Sequence, residues 1–225
     1  MKLILTFAAV FTGNMALFYV VHTLFPSYRY LLITEGHFVE NLTAVIFLGS
    51  FLSAVFLLFH SKKRAQVAFP LLVALLGLLG FLDELSFGRQ YINLPEPSLY
   101  GVGIDAVHDL FKVIYLIVVV WGGPGRVLIL AAITAGVVLL YWLWNRHQQT
   151  TSLSTLETLL QPRYIFLFLC GLFIFIALVI DLEFNESPSV LLLEELLELN
   201  AALALLFCSA ALYPKSERRP VPRPI

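Results

Sequence analysis

Residues 67–80 read VAFPLLVALLGLLG, and the chain continues as FLDELSFGRQ over residues 81–90. The first stretch has no charged side chain, which is typical of a helix in the hydrocarbon core of a membrane. Asp83, Glu84 and Arg89 follow directly. Ionisable side chains are costly so close to a lipid interior, and they mark functional or packing sites there. This junction therefore predicts both a membrane fold and a polar site at the end of a helix.

The composition of the 225-residue chain points to the same surroundings. Hydrophobic residues make up 60% of it and charged residues 13%, and the mean hydropathy is +0.89. A water-soluble domain of this size could not bury so much apolar surface, so the lipid bilayer is the expected partner. The formal net charge of -1 leaves no extended basic face, which argues against nucleic acid as a partner.

Seven apolar runs are candidates for helices that cross the membrane. We predict helices, not barrel strands, because the runs are continuous and do not alternate. They are Leu3 to Phe25, Phe38 to Phe59, Val67 to Phe87, Ile104 to Trp121, Val127 to Trp144, Tyr164 to Leu182 and Val190 to Tyr213. The predicted fold is an all-α integral membrane protein, a bundle of about seven hydrophobic helices with six to seven crossings. Residues 1–213 form one polytopic domain and residues 214–225 a basic, proline-rich tail, and the expected location is the cell membrane, a bacterial inner membrane.

Basic residues in the connections predict the orientation. Lys62, Lys63 and Arg64 follow the second run and place that connection in the cytoplasm. The start of the second run and the end of the third then share the outer side. Seven crossings would put the basic tail outside, against the charge bias, whereas six would put it in the cytoplasm. The fourth run has a polar face from Asp105 to Lys112 and is the candidate for a segment that does not cross.

Four clusters of ionisable residues form the candidate site. Each charge at a helix centre costs about 2.5 to 3.5 kcal/mol, so such residues must face the bundle or be neutralised. The predicted acid–base residues are Glu84, His108, Asp109, Glu194 and Glu198, and the predicted metal ligands are His37, Glu40, His108, Glu194 and Glu198. Glu194 and Glu198 are four residues apart and are expected to share a helix face. These carboxylates and imidazoles suit a divalent metal such as zinc, manganese or non-haem iron, although the chain has no Glu-x-x-His spacing.

Two classes of function remain open on these residues. One is an intramembrane enzyme that uses metal-assisted or acid–base chemistry on a lipid or lipid-linked substrate. The other is a non-catalytic membrane subunit whose buried charges hold it against a membrane-protein partner. We expect a Glu198→Gln variant to lose turnover in the first case and assembly in the second.

The sequence also predicts whether three further residues are buried or exposed. Cys170 and Cys208 lie within apolar runs at no spacing typical of zinc or a disulfide framework, so they are predicted to be small buried hydrophobes. His22, near the end of the first run, is expected to be solvated.

The motif LDELSFGRQ, the later VHD and the terminal LEELLEL together resemble a group of uncharacterised multi-pass bacterial membrane proteins. These proteins carry an acidic-Glu-x-Ser-aromatic-Gly motif, a downstream Leu-His-Asn and a Glu-Glu pair in the last helix. Matching residues here are Asp83, Glu84, Ser86, Phe87, Gly88, His108, Glu194 and Glu195. Phe87 replaces the Trp of the pattern and Asp109 replaces its Asn. The resemblance implies a site shared by these clusters, and the group has no established activity.

Overall fold

The computed structural model describes residues 2–33, 37–60, 67–86, 98–104, 109, 113–114, 116, 160–182 and 187–213. Five long helices run through these parts of the chain: α1 (Lys2–Leu24), α3 (Phe38–His60), α4 (Ala68–Glu84), α5 (Pro162–Leu182) and α6 (Pro188–Leu212). Between α1 and α3 the chain forms a 3-10 turn (Pro26–Tyr28) and the short helix α2 (Tyr30–Ile33). Strands β1 (Ser98–Leu99) and β2 (Val102–Gly103) pair as a small antiparallel hairpin, which the sequence did not predict.

The described residues are mostly helical, as an all-α membrane protein requires. Three helical stretches are long and apolar enough to cross a membrane: Lys2–Leu24, Phe38–His60 and Pro162–Ile180. Helix α4 is shorter, with 17 residues, and α6 contains three glutamates. The five long helices correspond to five of the seven predicted runs, so the described residues do not show seven helices. The predicted runs Ile104 to Trp121 and Val127 to Trp144 lie largely or wholly outside them.

Ring contacts determine how α1, α5 and α6 run relative to one another. Phe7, near the start of α1, lies 5.3 Å from Phe166 and 5.4 Å from Phe207 between ring centroids. Phe166 and Phe207 are 5.6 Å apart. Since Phe166 is near the start of α5 and Phe207 near the end of α6, α6 is antiparallel to both other helices. We call this end of the bundle the aromatic end.

Helices α3 and α4 meet at the same end. The hydroxyl groups of Ser53 in α3 and Tyr213 after α6 lie 3.4 Å apart, and the rings of Phe69 in α4 and Tyr164 in α5 lie 5.3 Å apart. Helix α3 therefore ends, and α4 begins, at the aromatic end. Helix α6 also ends there, just before Tyr213.

Glycine allows α3 and α4 to approach closely at mid-height. A Cβ atom on Gly77 would lie 2.8 Å from the backbone nitrogen of Phe51 and 3.0 Å from the carbonyl oxygen of Phe47. A Cβ atom on Gly80 would lie 2.7 Å from the ring of Phe47. Small residues permit such backbone contact between helices in membranes, where packing replaces the hydrophobic effect.

The turn after α1 folds back over that helix. Arg29 donates from Nε to the carbonyl oxygen of His22 at 2.7 Å, and Leu32 of α2 packs with Phe18 of α1 in a buried cluster. His22 is only 6% exposed, so the expectation of a solvated side chain is wrong. Cys170 and Cys208 are buried free thiols, as predicted.

Candidate functional site

The candidate site is built around Glu84, the last residue of α4. Its side chain is 9% exposed, in a helix whose other buried residues are apolar or glycine. Gly77 lies seven residues earlier, two turns back on the same face. Because Gly77 packs against α3, Glu84 is held on the α3 side of α4.

Four other carboxyl groups lie near enough for their charges to act on Glu84. These groups belong to Glu198, Glu195, Asp83 and Glu40. Glu195 and Glu198 belong to α6, Asp83 to α4 and Glu40 to the first turn of α3. We call the end of the bundle where these five residues meet the carboxylate end. It is opposite the aromatic end, since α3 and α6 start there and α4 ends there.

The surroundings of Glu84 are strongly acidic and partly dry. Glu40, Asp83, Glu195 and Glu198 are each half-buried. Carboxylates gathered in a desolvated place repel one another and lose hydration. Such a group is stable only if part of its negative charge is neutralised. A bound proton, a cation or a neighbouring basic side chain can do this. The arrangement is therefore suited to holding and exchanging protons or to binding a cationic group.

A strained turn ends α4 directly after Glu84. The Leu85 N–H still bonds to the Phe81 carbonyl at 3.3 Å, but Ser86 has a φ of 46°. A non-glycine residue in this left-handed region costs about 1–3 kcal/mol and is found where the surroundings enforce it. Ser86 belongs to the DELSFGRQ motif, whose residues from 87 onward lie outside the described residues. The turn ends α4 at Glu84.

Helix α6 directs Glu195 and Glu198 to the site. They are three residues apart and therefore share a face. The sequence had singled out Glu194 and Glu198, whereas the glutamates that act on Glu84 are Glu195 and Glu198. Glu194 is half-buried, and its role in the site stays a prediction.

Asn200, one turn beyond Leu196, is fully buried and lies on another face of α6. Its Nδ2 atom donates to the Leu196 carbonyl at 2.6 Å and approaches the Met15 sulfur at 3.8 Å. Asn200 thus contributes to the contact with α1.

The remaining predicted residues are placed less completely. His37 is half-buried just before α3; its ring lies 5.6 Å from Tyr30, edge to face at 85°, and its carbonyl accepts from Asn41 Nδ2 at 2.6 Å. Asp109 is buried, 4% exposed. His108 lies outside the described residues. The structure thus brings Glu40, Glu84 and Glu198 together from three predicted clusters.

Asp83 and Glu195 belong to the predicted clusters but were not among the selected acid–base residues or metal ligands. Each lies next to a selected acid in the sequence, and for Glu195 only the rotation of α6 about its axis shows which acid of the pair acts on Glu84. Asp83 acts on Glu84 through its position next to it in the chain, and Glu195 through the α6 face.

The described residues contain no group of three or more His, Cys, Asp or Glu side chains arranged to hold a metal ion. Of the predicted ligands, His108 lies outside the described residues. Metal binding at this site stays a prediction.

Comparison of the chain with protein-family models, with curated proteins and with solved structures gives no match.

Proposed function

We propose that this chain is a multi-pass membrane enzyme that performs acid–base chemistry on a lipid or lipid-linked substrate, with Glu84 at the centre of the site. The observation that carries the proposal is the convergence of carboxyl groups from α3, α4 and α6 on one buried glutamate. A fold that needed only stability would not collect these charges in a desolvated place.

Closely spaced carboxyl groups can divide the two roles of acid–base catalysis. One group in its acid form donates a proton to the leaving atom of the substrate, while a neighbour in its carboxylate form accepts one. Glu84 is buried, whereas the other four are half-buried, and Glu198 and Glu195 act on it from α6. Under this proposal, protons and a headgroup reach Glu84 by way of the half-buried members.

The helix directions support an arrangement with the carboxylate end outside the cytoplasm. Lys62, Lys63 and Arg64 and the basic tail both follow helices that end at the aromatic end, which the charge bias assigns to the cytoplasm. Residues 85–161 link the carboxylate end of α4 to the aromatic end of α5. A single crossing there gives six in total and both termini in the cytoplasm, which is the six-crossing alternative of the sequence.

The test is lipid turnover by the purified protein. We would reconstitute it in vesicles of total bacterial polar lipid and follow all lipid species by mass spectrometry over time. We expect at least one species to be consumed, and Glu84→Gln to slow this about 10²–10⁴-fold, the usual contribution of a general acid or base. Ser53→Ala, at the aromatic end, is the matched control and should leave the rate unchanged.

The same preparations separate the two classes of function. Thermal unfolding establishes that the Glu84→Gln variant is folded before its rate is interpreted. A folded wild type that transforms no lipid would contradict the enzyme proposal. If, in addition, a membrane-protein partner co-purifies with the wild type and is lost from Glu84→Gln, the carboxylate end serves assembly.

A further inference from the structure

Arg163 lies at the opposite end of the bundle from the carboxylates. It is the second residue of α5, and its guanidinium carbon lies 4.8 Å from the Tyr164 ring centroid and 5.7 Å from that of Phe69. The two rings are edge to face, 5.3 Å apart at 89°. Aromatic faces hold a cation by electrostatic attraction while leaving its N–H donors to other partners. Among the described residues, this guanidinium contacts two aromatic rings.

The donors of Arg163 are incompletely used. Its Nε atom is buried and has no hydrogen-bond acceptor among the described residues, while the side chain as a whole is half-buried. The backbone at this position is fixed separately, since the Arg163 carbonyl accepts from Cys208 Sγ at 3.2 Å. Because the side chain is only half-buried, the accessible edge of this guanidinium has lost part of its water, and an anionic acceptor brought to that edge would replace it. The buried Nε atom lies out of reach of such an acceptor.

The position along the helices identifies the acceptor. Arg163 and Phe69 lie in the first turns of α5 and α4, at the depth where helices of this length meet the lipid headgroups. Tyrosine and arginine at that depth contact the interface, and the planar guanidinium matches a phosphate in a two-donor geometry. Lys2, at the start of α1, is exposed at the same end and adds positive charge.

We propose that Arg163, bracketed by Phe69 and Tyr164, forms a binding site for the phosphate of an anionic phospholipid in the leaflet at the aromatic end. The aromatic pair positions the guanidinium, and the lipid phosphate accepts from it. The site is separate from the carboxylate end and does not depend on the acid–base proposal.

The experiment compares thermal unfolding in bilayer discs of phosphatidylcholine with and without phosphatidylglycerol. Both lipids carry a phosphate, but the choline cation of phosphatidylcholine competes with Arg163 for it, whereas phosphatidylglycerol has no such cation. For wild type we expect phosphatidylglycerol to raise the unfolding temperature by about 2–4 °C, as a ligand that binds only the folded state does. In Arg163→Gln, phosphatidylglycerol should no longer raise the unfolding temperature. Lys2→Gln also removes one positive charge at this end, but Lys2 does not lie between the two rings, so this variant should show the same rise as wild type. Inorganic phosphate added to phosphatidylcholine discs should not reproduce it.

Three results would overturn the proposal. One is an increment that survives in Arg163→Gln, and another is a wild type that shows none. The third is equal loss in Lys2→Gln, which would mean that diffuse charge attracts the lipid. If Arg163→Gln does not fold, Arg163→Lys decides: it keeps the charge but lacks the planar fork, and should lose at least half of the increment, so full retention would contradict a guanidinium site.

Discussion

At the aromatic end, α1, α5 and α6 meet through rings 5.3 to 5.6 Å apart. At the carboxylate end, four carboxyl groups lie near the buried Glu84, next to a buried apolar cluster that includes Val39 and Leu196. Helix α6 takes part in both, with Glu198 and Phe207 nine residues apart. Ring contacts of this kind contribute stability beyond the area they bury. Buried like charges cost stability. We therefore expect the aromatic end to contribute more to stability, because the charges at the carboxylate end offset part of the apolar packing beside them.

The largest expected effect comes from removing a ring at the aromatic end. Phe166 is fully buried and contacts Phe7 and Phe207, so Phe166→Ala should lower the free energy of unfolding by about 3 kcal/mol. Phe168, two residues further along α5, is 68% exposed and is the matched control. Denaturant unfolding in detergent measures both. Equal losses from the two variants would show that the ring contacts do not stabilise this end.

A smaller effect on stability is expected from substituting Gly77, which lies in α4 between the two ends of the bundle. An added methyl group would meet the backbone of Phe47 and Phe51, so Gly77→Ala should force α3 and α4 apart and cost about 2 kcal/mol. Because Glu84 lies on the same face, the substitution should also lower lipid turnover.

Gly49→Ala provides the control for Gly77→Ala. A Cβ atom at Gly49 meets only the Leu206 side chain, at 4.0 Å, so its stability should stay the same or rise by up to about 1 kcal/mol through better helix propensity. If both alanine variants unfold like wild type, close approach of the backbones is not what positions α4.

The smallest expected change has the opposite sign. Glu84→Gln replaces a buried carboxyl group, whose charged form is disfavoured by burial and by the neighbouring carboxyl groups, with a permanently neutral side chain. It should raise the free energy of unfolding by about 1 kcal/mol while slowing turnover about 10²–10⁴-fold, a combination typical of residues kept for activity. Thermal unfolding at fixed detergent concentration measures it. A loss of stability as large as that of Phe166→Ala would instead make Glu84 a structural residue and remove the contrast between the ends.

Much of the fold could be predicted because hydrocarbon imposes length and composition on each helix. Predicted and observed bounds differ by only a few residues: Phe38 to Phe59 became Phe38–His60, and Val190 to Tyr213 became Pro188–Leu212. The third run was predicted to reach Phe87, yet its helix ends at Glu84 because Ser86 adopts a left-handed conformation. Propensity carries no signal for that turn, which the surroundings impose.

The site could be predicted only as a set of clusters. That Glu40 and Glu84 would meet followed from the short connection between their runs. Whether α6 would join them depended on its direction, which the conflicting charge bias left open. Which acids of α6 face Glu84 depends on the rotation of the helix, which neighbouring side chains determine. His22 is buried where the chain turns back and Arg29 bonds to the His22 carbonyl oxygen. This contact joins residues seven apart, and no periodic pattern in the sequence predicts it.

The burial of the two cysteines has a practical consequence for chemical labelling. Cys170 is 1% exposed and Cys208 is fully buried, so a bulky, membrane-impermeant maleimide should find no thiol on the native chain. A single cysteine introduced at Phe38, 56% exposed at the start of α3, or at Phe59, 85% exposed near its end, would then report by itself which side of the membrane each end of that helix faces. The native cysteines therefore need not be removed before labelling, and the orientation of the protein can be determined in intact cells.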